Sequence, residues 1–309
     1  MGLNVFMAAV YTNYYMPGQK HYLHNLNERE QHVMANLPHI LESYHYVNKQ
    51  QYVDAMRNDS ATVFMDSGAF SAYTLGVKID LPTYVNYLKA NIDIIRVEDG
   101  ALMAAVLDGI GDPLETYQNQ LAMEALGVRP MPCFHAGEDT RYLDWYVANY
   151  DYISLGGMVG TSTKQLMTWL DRMWDKHLVD GAGRAKIKIH GFGITSIPIM
   201  ERYPWYSCDS SSWIQAASFG SIVEPEHGPL SISDKSPSRH QRGQHIGNLS
   251  QMEMDYVLQK LESQGFTYER LSTTYQSRAA YNLWAYGVIN TMVNAKYSEK
   301  FRAHIQELF

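Results

Sequence analysis

Cysteine is almost absent: Cys133 and Cys208 are the only two in 309 residues. Two thiols build neither a disulfide framework nor a four-cysteine metal site. A reducing compartment follows as the default, and the cytoplasm is the expected location. Long apolar runs are missing too, so no segment is expected to span a bilayer and no membrane partner is expected. The start, Met1-Gly2-Leu3-Asn4-Val5-Phe6-Met7, lacks the basic stretch and cleavage region of a signal peptide. Met1-Gly2 alone would suit myristoylation, but Leu3 to Met7 reads better as a first strand. The chain has no HExxH helix, no GxGxxG dinucleotide loop and no Walker-type Lys/Ser loop. No metal and no cofactor are therefore expected. Basic charge is also short, with a net charge of −7. Nucleic-acid proteins are more often basic, although a local patch matters more than the sum.

Hydrophobic residues make up 46% and charged residues 18%, a globular composition with length enough for one large core. The 23 tyrosines and 16 methionines read as packing before they read as a stacking platform.

The chain repeats one pattern: a short apolar run that stops at a polar or glycine-bearing turn, then a helix. Val63-Phe64-Met65 ends in Asp66-Ser67-Gly68-Ala69-Phe70, and Val106-Leu107 ends in Asp108-Gly109. Residues 130–134 lead to His135, 153–155 to Gly156-Gly157, 185–189 to His190, and a strand around Cys208 to Asp209. Between them, Asp80 with Pro82 and Asp112 with Pro113 mark helix starts. Leu114, Tyr117, Leu121 and Ala125 are expected to form one helical stripe, and Leu166, Leu170, Met173, Trp174 and Leu178 another. Residues 28–46 read as helical with an interruption near Pro38.

About seven or eight strands with polar C-terminal ends point to an α/β fold, a (β/α)8 TIM barrel. A doubly wound open sheet is the alternative, but such a sheet gathers its chemistry at one switch point. No linker or internal repeat separates a second domain, so one domain is expected over residues 1–309. It would carry a loop-rich insertion at about 221–248 and a helical C-terminal part, 249–309.

Asp66, Asp108 and Asp209 are the candidate chemical groups. Three carboxylates around one pocket repel, so some should have raised pKa values while others stay ionised. Such a division suits a nucleophile and an acid/base acting on a glycosidic bond. Asp before Gly or Ser also simply caps a turn. His135 and His190 each end a strand, where an imidazole can serve as base, ligand or cap. With Gly191, they join the candidate substrate contacts. Gly156 and Gly157 let a flat ligand approach the backbone. In the insertion, Lys235, Arg239 and Arg242 are candidate phosphate contacts.

The order of Asp66-Ser67-Gly68-Ala69-Phe70, Leu107-Asp108 with Gly111-Asp112-Pro113, Gly156-Gly157, His190-Gly191-Phe192-Gly193 and Asp209-Ser210-Ser211-Ser212-Trp213 resembles that of the tRNA-guanine transglycosylase superfamily. The likeness covers roughly residues 3–220 and is nearest to the phage-type DNA 7-deazaguanine transglycosylases. It implies exchange of guanine in DNA for a 7-deazaguanine such as preQ0 on a (β/α)8 barrel, in the host cytoplasm if the chain is phage-encoded. On that resemblance Asp209 is the nucleophile at C1′ and Asp66 the acid/base. Asp108 grips the guanine edge, Gly156 and Gly157 offer amides to the base carbonyl, and Phe70 lies near the base. The tRNA enzymes usually hold a structural zinc with three cysteines and a histidine, and an appended RNA-binding domain. This chain has too few cysteines for that zinc site and shows no such domain, which fits DNA better than tRNA. tRNA-guanine exchange, a barrel N-glycoside hydrolase with paired carboxylates and a non-catalytic binding barrel are the rival expectations.

Overall fold

The structure, a computed structural model, describes residues 2–14, 25–158, 160–241 and 243–306. Its contacts gather the chain into two compact units: Met1–Gly18 with His39–Ser210, and Gln19–Pro38 with Ser211–Phe309.

The first unit is built on a curled parallel sheet. Its strands are β1 (Asn4–Ala8), β2 (Ile40–Ser43), β3 (Phe64–Asp66), β6 (Cys133–His135), β7 (Tyr152–Gly156), β8 (Lys188–Gly191) and β9 (Ser207–Ser210). The hairpin strands β4 (Val97–Glu98) and β5 (Ala101–Leu102) lie apart from them. The sheet order is β3-β2-β1-β9-β8-β7-β6, every neighbouring pair parallel. Alternation divides each strand between two faces. Phe6, Leu41, Phe64 and Tyr152 meet Met103, Ala105 and Met131 in one core cluster, with Phe192 and Tyr206 packed against it. Val5, Met65, Ile153, Ile189 and Cys208, between them in sequence, are also buried. Burial on both faces is what makes such strands read as unbroken apolar runs.

The apolar run that ends at Asp108 is not a ladder strand. Between β3 and β6 the chain forms two isolated parallel bridges, Met65 to Ala104 and Ala105 to Met131. Four backbone bonds accompany them. Met65 N–H donates to Met103 O at 2.9 Å and Ala105 N–H to Met65 O at 2.9 Å. Val106 N–H reaches Met131 O at 3.0 Å, and Met131 N–H reaches Ala104 O at 2.7 Å.

At the N-terminal ends of the strands, the β4–β5 hairpin carries a cluster of charged and aromatic groups. Arg96 lies 2.8 Å from His39 Nδ1 and 3.5 Å from Glu98. Tyr206 donates its hydroxyl proton to Glu98. Lys188 sits 2.5 Å from Asp99 and 4.2 Å from the Tyr206 ring centre.

Two sequence expectations are corrected here. Residues 28–46 are not one interrupted helix: a helix, Glu28–Ala35, ends well before strand β2. That strand has only four residues and includes a buried acid, Glu42, which hides its alternation. Glu42 accepts the Tyr11 N–H at 2.6 Å and the Thr12 hydroxyl at 3.0 Å, so it caps the helix Val10–Tyr14. In helix Pro113–Ala125 the buried face is Thr116, Gln120 and Met123, while Leu114 and Leu121 are exposed. The polar pair wins the inner face through bonds to the backbone. Gln120 donates to Pro130 O at 3.0 Å, and Thr116 accepts the Gly109 N–H at 3.0 Å. The second stripe is as expected, with Leu166, Leu170, Met173, Trp174 and Leu178 all buried.

The second unit holds the antiparallel hairpin β10 (Ser221–Glu224) and β11 (Gly228–Ser231) within the stretch read as loop. The helix Tyr275–Gln306 organises it. Asn282 donates to Trp213 O at 2.8 Å and accepts the Val223 N–H at 2.7 Å. Arg278 donates to Ala217 O and Leu271 O. Buried Glu30 takes Arg270 at 2.6 Å and Ser277 at 2.5 Å. Burial opposes charge on Glu30, but these donors hold its carboxyl below the usual range. Helix Gln251–Ser263 and the hairpin line a groove of about 490 Å³ that includes Leu230, Met252, Tyr256 and Val257. Among the described residues no helix is long and apolar enough to cross a membrane.

Candidate active site

Strand β3 ends at Asp66, and the next turn fixes its carboxylate. Gly68 donates its N–H to Asp66 Oδ2 at 3.0 Å. Gly68 adopts φ +75°, and a Cβ there would lie 2.3 Å from Ser43 Oγ and 2.5 Å from His45 Cβ. Only glycine fits both the backbone and the space. The helix Ala69–Thr74 that follows leaves Phe70 61% exposed. Burial, reinforced by the Asp108 and Asp209 carboxylates, pushes Asp66 up to about 7. That is the division expected for crowded acids.

Asp108 is held by its neighbours on both sides. Asn119 donates to Leu107 O at 2.8 Å, and Gly109 donates to Thr116 Oγ1 at 3.0 Å. A Cβ at Gly109 would lie 2.5 Å from Glu115 Cβ. Asp108 Oδ2 lies 3.5 Å from His135 Nε2, and Asp108 Oδ1 is buried without a hydrogen-bond partner. An orphaned carboxylate oxygen is costly unless something else binds it.

His135 is clamped by Glu138, a residue given no role in the sequence reading. Its backbone N–H donates to Glu138 Oε2 at 2.9 Å, and its Nδ1 lies 3.0 Å from Glu138 Oε1. Nε2 faces Asp108 and lies 3.5 Å from Cys133 Sγ. Burial works against a charge on His135, but Cys133, Asp108 and Glu138 outweigh it and raise the imidazole pKa. The signal was the three-residue spacing in His135-Ala136-Gly137-Glu138, which suits a turn closed by its own acid. The ring lies across the neighbouring strand because that strand offers glycine. A Cβ at Gly156 would come within 2.8 Å of His135 Cδ2. Gly157 turns the chain with φ +69°.

Asp209 accepts the Gly193 N–H on Oδ1 at 2.8 Å. His190 Nε2 stands 3.3 Å from that same oxygen. His190, read from sequence as a substrate contact, has no exposed surface. Its Nδ1 lies 2.6 Å from Ser207 Oγ, which lies 2.5 Å from the Tyr152 hydroxyl. Ser207 and Tyr152 escaped the sequence reading because both look like ordinary strand residues. Gly191 faces away from this set: a Cβ there would strike Ile194 at 2.7 Å and Trp205 at 2.9 Å. Its place in the fold is tight packing.

Asp66, Asp108, His135, Gly156, Gly157 and Asp209 thus share the C-terminal ends of one sheet and the turns just beyond. Lys235 and Arg239 belong to the second unit, where both are exposed and Arg239 donates to Asp234 O at 2.9 Å. Arg242 lies outside the described residues. Among the described residues, two groups could offer ligands to a cation. Asp108, Cys133 and His135 bring ligand atoms within 4.8 Å of one another, as do Glu224, Glu226 and His227. In the second group Lys260 already sits 2.5 Å from Glu224 and 3.0 Å from Glu226.

The class these features define is an α/β protein whose curled parallel sheet carries two carboxylates at its strand ends, with a third just beyond the bridged segment between β3 and β6. Compared with known proteins, the chain matches no family model and no curated protein.

Proposed function

We propose that this protein is a base transglycosylase that exchanges guanine in DNA for a 7-deazaguanine such as preQ0. The observation that carries the reading is the unequal state of the three gathered acids. Asp66 is pushed up to about 7, Asp108 keeps a buried unpartnered oxygen, and Asp209 is held through one oxygen only. An acid/base, a binding group and a nucleophile need those three conditions.

In the first step Asp209 attacks C1′ of the target nucleotide. The C1′–N9 bond breaks, a C1′–oxygen bond to Asp209 forms, and protonated Asp66 assists guanine departure. In the second step Asp66, now a carboxylate, takes the N9 proton of the incoming base. Its nitrogen displaces Asp209 and restores an N-glycosidic bond. Two displacements retain configuration. One such bond is broken and a similar one formed, so no energy cofactor enters. The orphaned Asp108 oxygen accepts N–H groups of the guanine edge, and His135 Nε2 lies 3.5 Å from its other oxygen. Gly156 and Gly157 let the backbone approach the base carbonyl, and exposed Phe70 supplies an aromatic surface near it. The base must leave the stack to reach the site. The fold reading that goes with this chemistry is a closed (β/α)8 barrel with residues 103–107 in the fourth position. The bridges from Ala104 and Ala105 to β3 and to Met131 support that closure.

The test is incorporation of labelled preQ0 with duplex DNA and tRNA supplied separately, the nucleosides being identified by mass spectrometry. Label is expected in DNA. Asp209→Asn is expected to remove the covalent DNA–protein adduct, seen on a denaturing gel, while the chain stays folded. Label only in tRNA would move the substrate to tRNA. Guanine release without label in either would replace exchange by hydrolysis, and an adduct that survives Asp209→Asn would take the nucleophile role from Asp209.

A further inference from the structure

We infer that His190 is a positioning residue for Asp209, with its proton fixed on Nε2 by a buried hydrogen-bond chain from Tyr152 through Ser207. The inference rests on the reading of Asp209 as nucleophile, but its structural core can be tested without it.

The register builds the chain. His190 on β8 pairs directly with Ser207 on β9, so both side chains share one face. Asp209 lies two residues further along β9, on that same face. The Tyr152 hydroxyl, Ser207 Oγ and His190 Nδ1 follow at 2.5 and 2.6 Å, and His190 Nε2 then stands 3.3 Å from Asp209 Oδ1. Apolar rings surround the imidazole. Phe64 lies 4.8 Å and Phe192 4.6 Å away, both edge-on, with Phe6 at 6.2 Å. His190, Ser207 and Phe64 have no exposed surface, so water does not compete for these bonds.

The direction of the chain decides the tautomer. If His190 carried its proton on Nδ1, the lone pair on Nε2 would face a carboxylate oxygen at 3.3 Å. Two acceptors would then oppose each other in a dry site, which is unfavourable. If Tyr152 donates to Ser207 and Ser207 donates to Nδ1, the proton sits on Nε2, the nitrogen 3.3 Å from Asp209 Oδ1. Nε2 makes no hydrogen bond in this geometry, but its N–H then stands near an acceptor instead of a lone pair standing against one. The Gly193 N–H donates to Oδ1 at 2.8 Å, and Nε2 stands 3.3 Å from the same oxygen without a formed hydrogen bond. Oδ2 is thereby left for the sugar carbon, and the carboxylate plane is fixed before substrate arrives. Preorganisation of this kind raises the rate of the chemical step without tightening the hold on the base.

The experiment combines histidine side-chain 15N NMR of the whole protein with single-turnover adduct formation. The wild type is expected to show His190 as the Nε2–H tautomer, and Ser207→Ala to lose that fixed form. In Ser207→Ala and Tyr152→Phe the rate of adduct formation should fall by about tenfold, with the KM for the free base unchanged. His190→Gln keeps an N–H donor and should retain more activity than His190→Ala. Denaturation midpoints of the two milder variants, Ser207→Ala and Tyr152→Phe, control for folding. An Nδ1–H tautomer in the wild type, or wild-type rates in Ser207→Ala, would overturn the inference. A wild type that forms no adduct would instead remove the transglycosylase reading, and the NMR tautomer would still decide the chain.

Discussion

At the scale of single residues, Asp66 is the most informative group. Its ordinary value is 3.8, and in the fold it stands at about 7. A raised carboxyl favours folding in its neutral form. The stability is full below about pH 4 and is lost as pH climbs through 7. Asp66→Asn should therefore stabilise the protein at pH 8, by up to about 4 kcal/mol, and change little at pH 4. Urea midpoints at the two pH values measure this. Glu42, also raised to about 7 by burial, titrates in the same window but is common to both proteins, so the difference isolates Asp66. Activity should carry the same signature. On the proposed chemistry guanine release needs the protonated acid, so its rate should decline above about pH 7, and Asp66→Asn should flatten that limb.

The acids themselves were legible in the sequence because each ends an apolar run. Their inequality was not legible, since it depends on which other acids the fold brings near. His190 shows the limit from the other side. Its strand-end position is the same in sequence and structure, but burial gives it protein partners only.

At the scale of elements, caps and stripes read well where one residue type decides the outcome. Asp80 accepts the Thr83 N–H, and Asp112 accepts those of Leu114 and Glu115, at the helix starts expected. Reading failed where backbone polarity decided. Thr116 and Gln120 turn inward because buried carbonyl and amide groups need partners, and no hydrophobic pattern announces that. Strand β2 was missed because four residues hold too little periodicity. The sharpest test of an element is Gly68, which joins β3 to the helix Ala69–Thr74. Gly68→Ala combines a left-handed backbone with collision against Ser43 and His45. A loss of about 1–3 kcal/mol or more is expected in chemical denaturation, with the Asp66 carboxylate displaced and adduct formation reduced.

At the scale of the whole molecule, composition set the class and left the nucleic-acid surface open. A net charge of −7 supplies no general attraction to phosphate, so on the proposed function docking would depend on local cations. Lys235 and Arg239 are exposed on the second unit and are the cations the proposed function assigns to that task. Neutralising Arg239 and Arg242 together should weaken DNA binding. It should also lower the slope of log affinity against log salt by about 0.9 for each phosphate no longer neutralised. Titrations at several salt concentrations read both quantities, and an unchanged slope would assign these side chains to solvent. The hairpin β10–β11 inside the expected loop was hidden because its second strand begins with Gly228 and Pro229.

The cluster around the β4–β5 hairpin has a further consequence. Arg96, Glu98, Tyr206, Lys188 and Asp99 occupy the N-terminal end of the sheet, and Phe6, Phe64, Met103 and Tyr152 fill the space above them. The candidate site at the opposite ends of the strands is therefore a blind alley. On the proposed chemistry, a departing guanine and an arriving deazaguanine use the same doorway in opposite directions. Traffic through it must be sequential. Guanine should inhibit in competition with the incoming base, and its slow clearance from the pocket would return the nucleic acid to its unmodified state.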